Sequence, residues 1–199
     1  PSYGTTRRPA DIMQEALQAQ NDPQQRKDFL SRSLNIYTSA MLAYFDLNEF
    51  KWSDRKYDWT LDQLAKLPID WFGGADLSRL HDLTATALYG HYKGVDIIIT
   101  HAFFPVVAAH LKAEQDNIPL FGWADENLLT LCNSPTVKYA DVVNWFVKMR
   151  ERGFKIKQVG HDRKFCREYF IGMKQARFNI IDQPQYYYKK SEGFRHIEK

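Results

Sequence analysis

Three aspartates stand where a folded chain can bring carboxylates together. Asp76 ends the apolar stretch Trp71-Phe72-Gly73-Gly74-Ala75. A carboxylate among apolar residues is costly unless it is paired, hydrogen-bonded or bound to metal. Asp82 follows six residues on, and a tight connection over 78–81 would set positions 76 and 82 side by side on neighbouring strands. Asp162 follows the alternating run 154–160, just before a helical pattern. Strand ends that feed helices are where α/β sheets place reactive residues. Three acids on one sheet make a hard-oxygen site for Mg2+ or Mn2+. Two such ions clamp a phosphodiester, one activating water and the other stabilising the leaving oxygen. The same residues also have plainer uses, because aspartate at a strand end forms turns and caps helices.

Cations cluster near these acids in the sequence, at Lys148–Lys157, at Arg163, Lys164 and Arg167, and at Tyr186–Lys190. Lys155, Lys157, Arg163, Lys164 and Arg167 are candidate phosphate contacts, and a basic rim would offset the repulsion between an acidic site and DNA. Lys and Arg at the end of helix 139–152 also suit the helix dipole, and Tyr186–Tyr188 can pack as readily as stack on bases. The six histidines have no zinc spacing. His81 and His161 each precede a candidate acid, which fits a water- or phosphate-positioning role or a turn on the surface. Cys166 sits one turn into a helix, where a thiol pKa falls. No Cys/His/Asn arrangement accompanies it, which excludes a thiol enzyme. Asp125-Glu126 reads as an exposed pair and Asp141 as a helix-start acid.

These residues need elements to position them. Residues 1–10 read as an extended arm and 11–20 as a short helix. Asp22-Pro23 is a break with N-cap chemistry, and the stretch to about 48 is helical in part. Residues 61–67 form a short helix ended by Pro68. The pattern then changes: 71–78 reads as an apolar strand, 82–89 as an alternating strand, and 95–104 as a buried one, together an antiparallel meander. Val106–Gln115 is a short helix and 116–137, with two prolines, an excursion over the surface. Tyr139–Arg152 is an amphipathic helix closed by Gly153. A strand at 154–160, a helix at 164–177 and a fifth strand at 178–182 follow. The order is βββ, helix, β, helix, β.

The composition sets bounds. The chain has 199 residues, 44% of them hydrophobic and 15% aromatic, enough for a core in one domain with an appendage. Lys+Arg 27 against Asp+Glu 24 gives +3, which permits a nucleic-acid partner without demanding one. No apolar run reaches membrane-span length and no secretory signal is present, so the expectation is a soluble protein of a reducing interior. The first residue is Pro1, not Met, which suggests a piece of something longer.

The segment Gly73-Gly74-Ala75-Asp76-Leu77-Ser78-Arg79-Leu80-His81-Asp82-Leu83-Thr84-Ala85 resembles the opening strands of the nuclease domain of tailed-phage terminase large subunits. Ala102-Phe103-Phe104-Pro105 resembles the strand-ending motif of that family. Val159-Gly160-His161-Asp162-Arg163 resembles its Gly-x-Asp strand end, and 183–198 its stretch after the fifth strand. Residues 29–35 and Trp52 resemble the linker that precedes the nuclease. The resemblance implies an RNase H-like mixed sheet flanked by helices. It divides the chain into a helical linker, 1–68, from an upstream ATPase region, and a nuclease domain, 69–199. The implied activity is a two-metal endonuclease that cuts concatemeric double-stranded viral DNA during packaging, with Mg2+ or Mn2+ held by Asp76, Asp162 and Asp82. The implied partners are DNA, the terminase small subunit and the portal, in the cytoplasm of a bacterial host. No phosphate-binding loop of an ATPase occurs in the chain. No residue matches the family's late acid on a C-terminal helix, so the nuclease domain is expected to be incomplete and its site weak in metal. Two other readings share the fold: a non-catalytic module that grips DNA or a portal, and a resolvase- or transposase-like nuclease.

Overall fold

The structure is a computed structural model that describes residues 12–17, 47–78, 82–116, 118–162, 167–184, 186, 190–193 and 195. The chain divides into two compact units, Pro1–Asp58 and Trp59–Lys199. In the first, residues 12–17 form helix α1 and Leu47–Arg55 forms α2. The expected extended arm at 1–10 and the break at Asp22-Pro23 lie outside the described residues.

The second unit begins with a short helix, α3 (Leu61–Ala65). Thr60 starts it with a capping box: the Gln63 N–H donates to Thr60 Oγ1 at 3.3 Å, and the Thr60 N–H donates to Gln63 Oε1 at 2.8 Å. Two of the backbone donors that open a helix without partners are thereby satisfied. Leu64 and Ala65 join the core.

β1 (Trp71–Asp76), β2 (Thr84–Tyr92) and β3 (Val95–Pro105) form the expected antiparallel meander. Then come α4 (Val106–Asp116), α5 (Leu120–Asp125), β4 (Leu129–Cys132), α6 (Tyr139–Arg152), β5 (Ile156–His161), α7 (Arg167–Gln175) and β6 (Ile180–Asp182). The six strands make one mixed sheet in the order β4-β3-β2-β1-β5-β6, with β5 parallel to β1, β6 parallel to β5 and β4 parallel to β3. Segment 116–137 is therefore not a plain surface excursion, because it contains α5 and an edge strand. Four residues between prolines at 119 and 135 carry too little alternation to declare a strand, and β4 takes its identity from pairing with β3.

Alternation along the strands gives the sheet two unlike faces. On one, Trp71, Leu88, Phe103 and Val159 pack beneath Val142, Phe146 and Met149 of α6 and Tyr169 and Met173 of α7. Helix α6 lies so close that a Cβ on Gly73 would meet Phe146 Cε1 at 2.8 Å and Val159 Cγ2 at 2.9 Å. Gly153 ends α6 in the left-handed region at φ 118°, where a side chain would be strained, and its N–H bonds back to Arg150 and Met149. On the other face, Phe104 and Leu129 meet Ala109 of α4 and Leu120 of α5 in a second, smaller cluster. Elsewhere no described helix covers that face: Phe72 is 47% and Ile98 58% exposed. No helix among the described residues is long and apolar enough to cross a membrane.

Candidate functional site

The parallel pairing of β1 with β5 decides which acids meet. Gly74 lies beside Gly160 and Ala75 beside His161, so the next residues on the two chains are Asp76 and Asp162. Neighbouring strands lie about 4.8 Å apart. Side chains at matched positions of parallel strands share a face, so both aspartates belong to the open one. Asp76 is exposed and Asp162 half-buried. The row beneath them is nearly bare, because a Cβ on Gly74 would meet nothing within 4 Å. The two Gly-x-Asp strand ends thus follow one another across the last paired residues of β1 and β5, with empty space at Gly74 and Gln183 over Gly160.

Asp82 does not join them. The residue across from Asp76 is Ala85, and Asp82 lies three positions before it, 85 minus 82, which is about 10 Å along the chain at ~3.4 Å per residue. Its carboxylate accepts from the Leu83 N–H at 2.9 Å, and its carbonyl accepts from Ser78 Oγ at 2.7 Å. These bonds tie Asp82 to Ser78 and Leu83, ahead of Thr84, the first residue of β2. Asp82 also contributes, after the hydrogen bond that the Lys112 ammonium donates to Asp116, to holding that ammonium above its usual range. Among the described residues, no group of three or more His, Cys, Asp or Glu could hold a metal ion. The expected convergence of three acids becomes a pair.

The candidate phosphate contacts divide between the two ends of the sheet. Lys155 and Lys157 stand at the start of β5, and Lys157 is five residues from Asp162, or ~17 Å at ~3.3 Å per residue. Lys157 Nζ lies 3.5 Å from Asp70 Oδ2, across from the start of β1. Arg167 opens α7 at the acid end and is exposed. Arg163, Lys164, His81 and Cys166 lie outside the described residues.

His161 is a core residue rather than a surface one. It shares register with Ala75, which turns it to the helix-covered face, where it is 4% exposed and lies against Tyr169 and Phe170. Cys132 is buried, and its thiol is pushed up to about 11 by burial, with Asp141 adding to the effect, so it is an inert thiol at neutral pH. His101 stacks on Trp145 at 6.2 Å, and its Nε2 lies 2.8 Å from Thr130 Oγ1. Burial holds its pKa below the usual value.

Sequence reasoning passed over Gln183. Its N–H donates to the His161 carbonyl at 2.8 Å, continuing the β5–β6 pairing one residue beyond Asp182. Its side chain lies beside Gly160, with Oε1 3.6 Å from where a Cβ would be, on the face that carries the aspartates. No spacing rule marks this residue, because only the strand pairing brings it to the acids.

No family model matches the chain. It is 26% identical, over 146 residues, to the terminase large subunit of Enterobacteria phage HK97, a match covering 72% of this chain and 27% of that protein. The crystal structure of the HK97 bacteriophage large terminase matches its fold with a TM-score of 0.61 at 20% identity, over 100% of this chain and 40% of that one. The chain therefore spans about a quarter of the length of the curated relative it matches. The mixed sheet flanked by helices is the fold that the resemblance implied.

Proposed function

Because this chain is related in sequence and fold to the phage terminase large subunits, we propose that it carries the nuclease site of such a protein and hydrolyses phosphodiester bonds of double-stranded viral DNA during genome packaging. The observation that supports this reading is the register of β1 on β5, in which Ala75 pairs with His161, so that Asp76 and Asp162 are the next residues on adjacent parallel strands.

The donor set fits a divalent cation of the hard class. Two carboxylates and a nearby amide oxygen, with His91 of the same face at the far end of β2 beside Asp96, suit Mg2+ or Mn2+ better than zinc. Asp76 and Asp162 would hold the ion, which when bound supplies an activated water and charge neutralisation at a phosphoryl oxygen. The protein contributes position. The strand ladder holds Ala75 and His161, the residues just before the two aspartates, in register. The empty space at Gly74 leaves room for a DNA backbone to approach the pair from the β1 side. Arg167, at the same end of the sheet, is a cation for an adjacent phosphate. Lys155 and Lys157 would serve a different part of a bound duplex or none of it, because they stand at the far end of β5.

The test is incubation of the chain with supercoiled plasmid and Mn2+ or Mg2+. The expected result is nicking or linearisation that needs the ion and falls by ~100-fold or more in Asp76→Asn and in Asp162→Asn, each of which removes one anionic ligand. Equal cleavage by Asp76→Asn would refute the reading. The non-catalytic module is the second reading, and it is favoured by the count of two acids among the described residues where three were expected. It predicts DNA binding with no ion-dependent cleavage, unchanged by either substitution.

A further inference from the structure

Two carboxylates are a sparse set for a divalent cation, which usually takes six or more oxygens. Across the acid end of the sheet, the register continues past the pair. Ala75, His161 and Asp182 lie level on β1, β5 and β6, so the next position on each chain is Asp76, Asp162 and Gln183. Asp182 is level with His161 and so belongs to the row of the helix-covered face. Gln183 belongs to the row of the aspartates. The bond from its N–H to the His161 carbonyl fixes its backbone, and its side chain lies over Gly160, one row beneath Asp162. A Cβ on Gly160 would lie 3.5 Å from Gln183 Cβ and 3.6 Å from its Oε1, so the Gln183 side chain packs directly on the Gly160 backbone.

We propose that Gln183 is the third oxygen ligand of the cation site, its amide carbonyl completing a row of three oxygen-bearing side chains at the ends of β1, β5 and β6. This rests on the reading of Asp76 and Asp162 as cation ligands. A neutral ligand has a physical role here. Hard cations accept amide oxygens, and a third donor without charge adds coordination without a third mutually repelling carboxylate.

The experiment is calorimetric titration of the chain with Mn2+, comparing the unaltered protein with Gln183→Ala, Gln183→Glu and Asp76→Asn, each checked by thermal melting. Gln183 is exposed, so all Gln183 variants are expected to fold. Gln183→Ala is expected to weaken Mn2+ binding by ~10-fold, the lower end of what losing a supporting group costs a metal site. Gln183→Glu is expected to tighten it, and Asp76→Asn to abolish it. Binding unchanged in Gln183→Ala overturns the proposal even if Gln183→Glu tightens, because added negative potential alone then accounts for that gain. If Asp76→Asn abolishes binding while Gln183→Ala does not weaken it, only the role of Gln183 falls. If the unaltered chain takes up no Mn2+, the reading of the aspartate pair falls, and this inference with it.

Discussion

The two faces of the central sheet are built from the same strands by opposite rules. On the covered face of β1 and β5, Trp71, Val159 and His161 are each under 5% exposed, and the closeness of α6 forces a glycine at position 73. On the open face, Phe72 is half-exposed, Gly74 has empty space where a side chain would be, and the strand ends carry aspartate. Glycines 73 and 74 are neighbours in sequence with opposite reasons for being small. The first is required by packing. The second is not required by packing or by a positive φ, and it leaves the approach to Asp76 and Asp162 clear. Along β1 and β5, the packing that stabilises the sheet therefore lies on one face and the candidate chemistry on the other, so substitutions in these two strands can separate them.

The largest effect is expected at Gly73. Gly73→Val places methyl groups into Phe146 and Val159 and should cost about 3 kcal/mol or more as overpacking, read by chemical denaturation. A variant as stable as the parent would mean that α6 does not lie where the contact distances put it. A smaller effect is expected from pH through His101, on the covered side of β3. Burial lowers its folded pKa, with the Lys148 charge adding to this against a bond to the Asn127 carbonyl. The unfolded chain therefore takes up the proton first. Stability from this group is present above the unfolded value of ~6.5 and declines as pH falls through it. Melting temperatures between pH 7.5 and pH 5.5 should fall, and His101→Gln should flatten part of that slope. The smallest effect is expected from Gly74→Val, which should leave stability within ~0.5 kcal/mol or raise it slightly, because valine suits a strand and meets nothing there. A large loss would mean that the open face is covered after all.

The sequence made some of this legible, and the reasons differ by residue. Helix 139–152 could be read because a long apolar stripe and the closing Gly153 are local signals, and both are found. The meander could be read because its strands alternate over enough residues. β4 could not, since its four residues gain their partner only from the fold. Within the site, Asp76 and Asp162 stood out because each ends a strand pattern after a Gly-x step. Asp82 was grouped with them on the assumption of a tight turn, whereas the register across from Asp76 falls on Ala85. Lys155 and Lys157 are close to Asp162 in sequence but lie at the other end of an extended strand. His161 looked like a surface or turn residue because parity, which sends it to the covered face, is set by its pairing with Ala75.

The central claim is that Asp76 and Asp162 share a cation, and a double-mutant cycle of Mn2+ affinity over Asp76→Asn and Asp162→Asn tests it most directly. Two ligands of one ion are coupled, so the double variant should lose little more than either single variant does. Losses that simply add would mean that the two carboxylates act independently, contradicting the account drawn from the β1–β5 register.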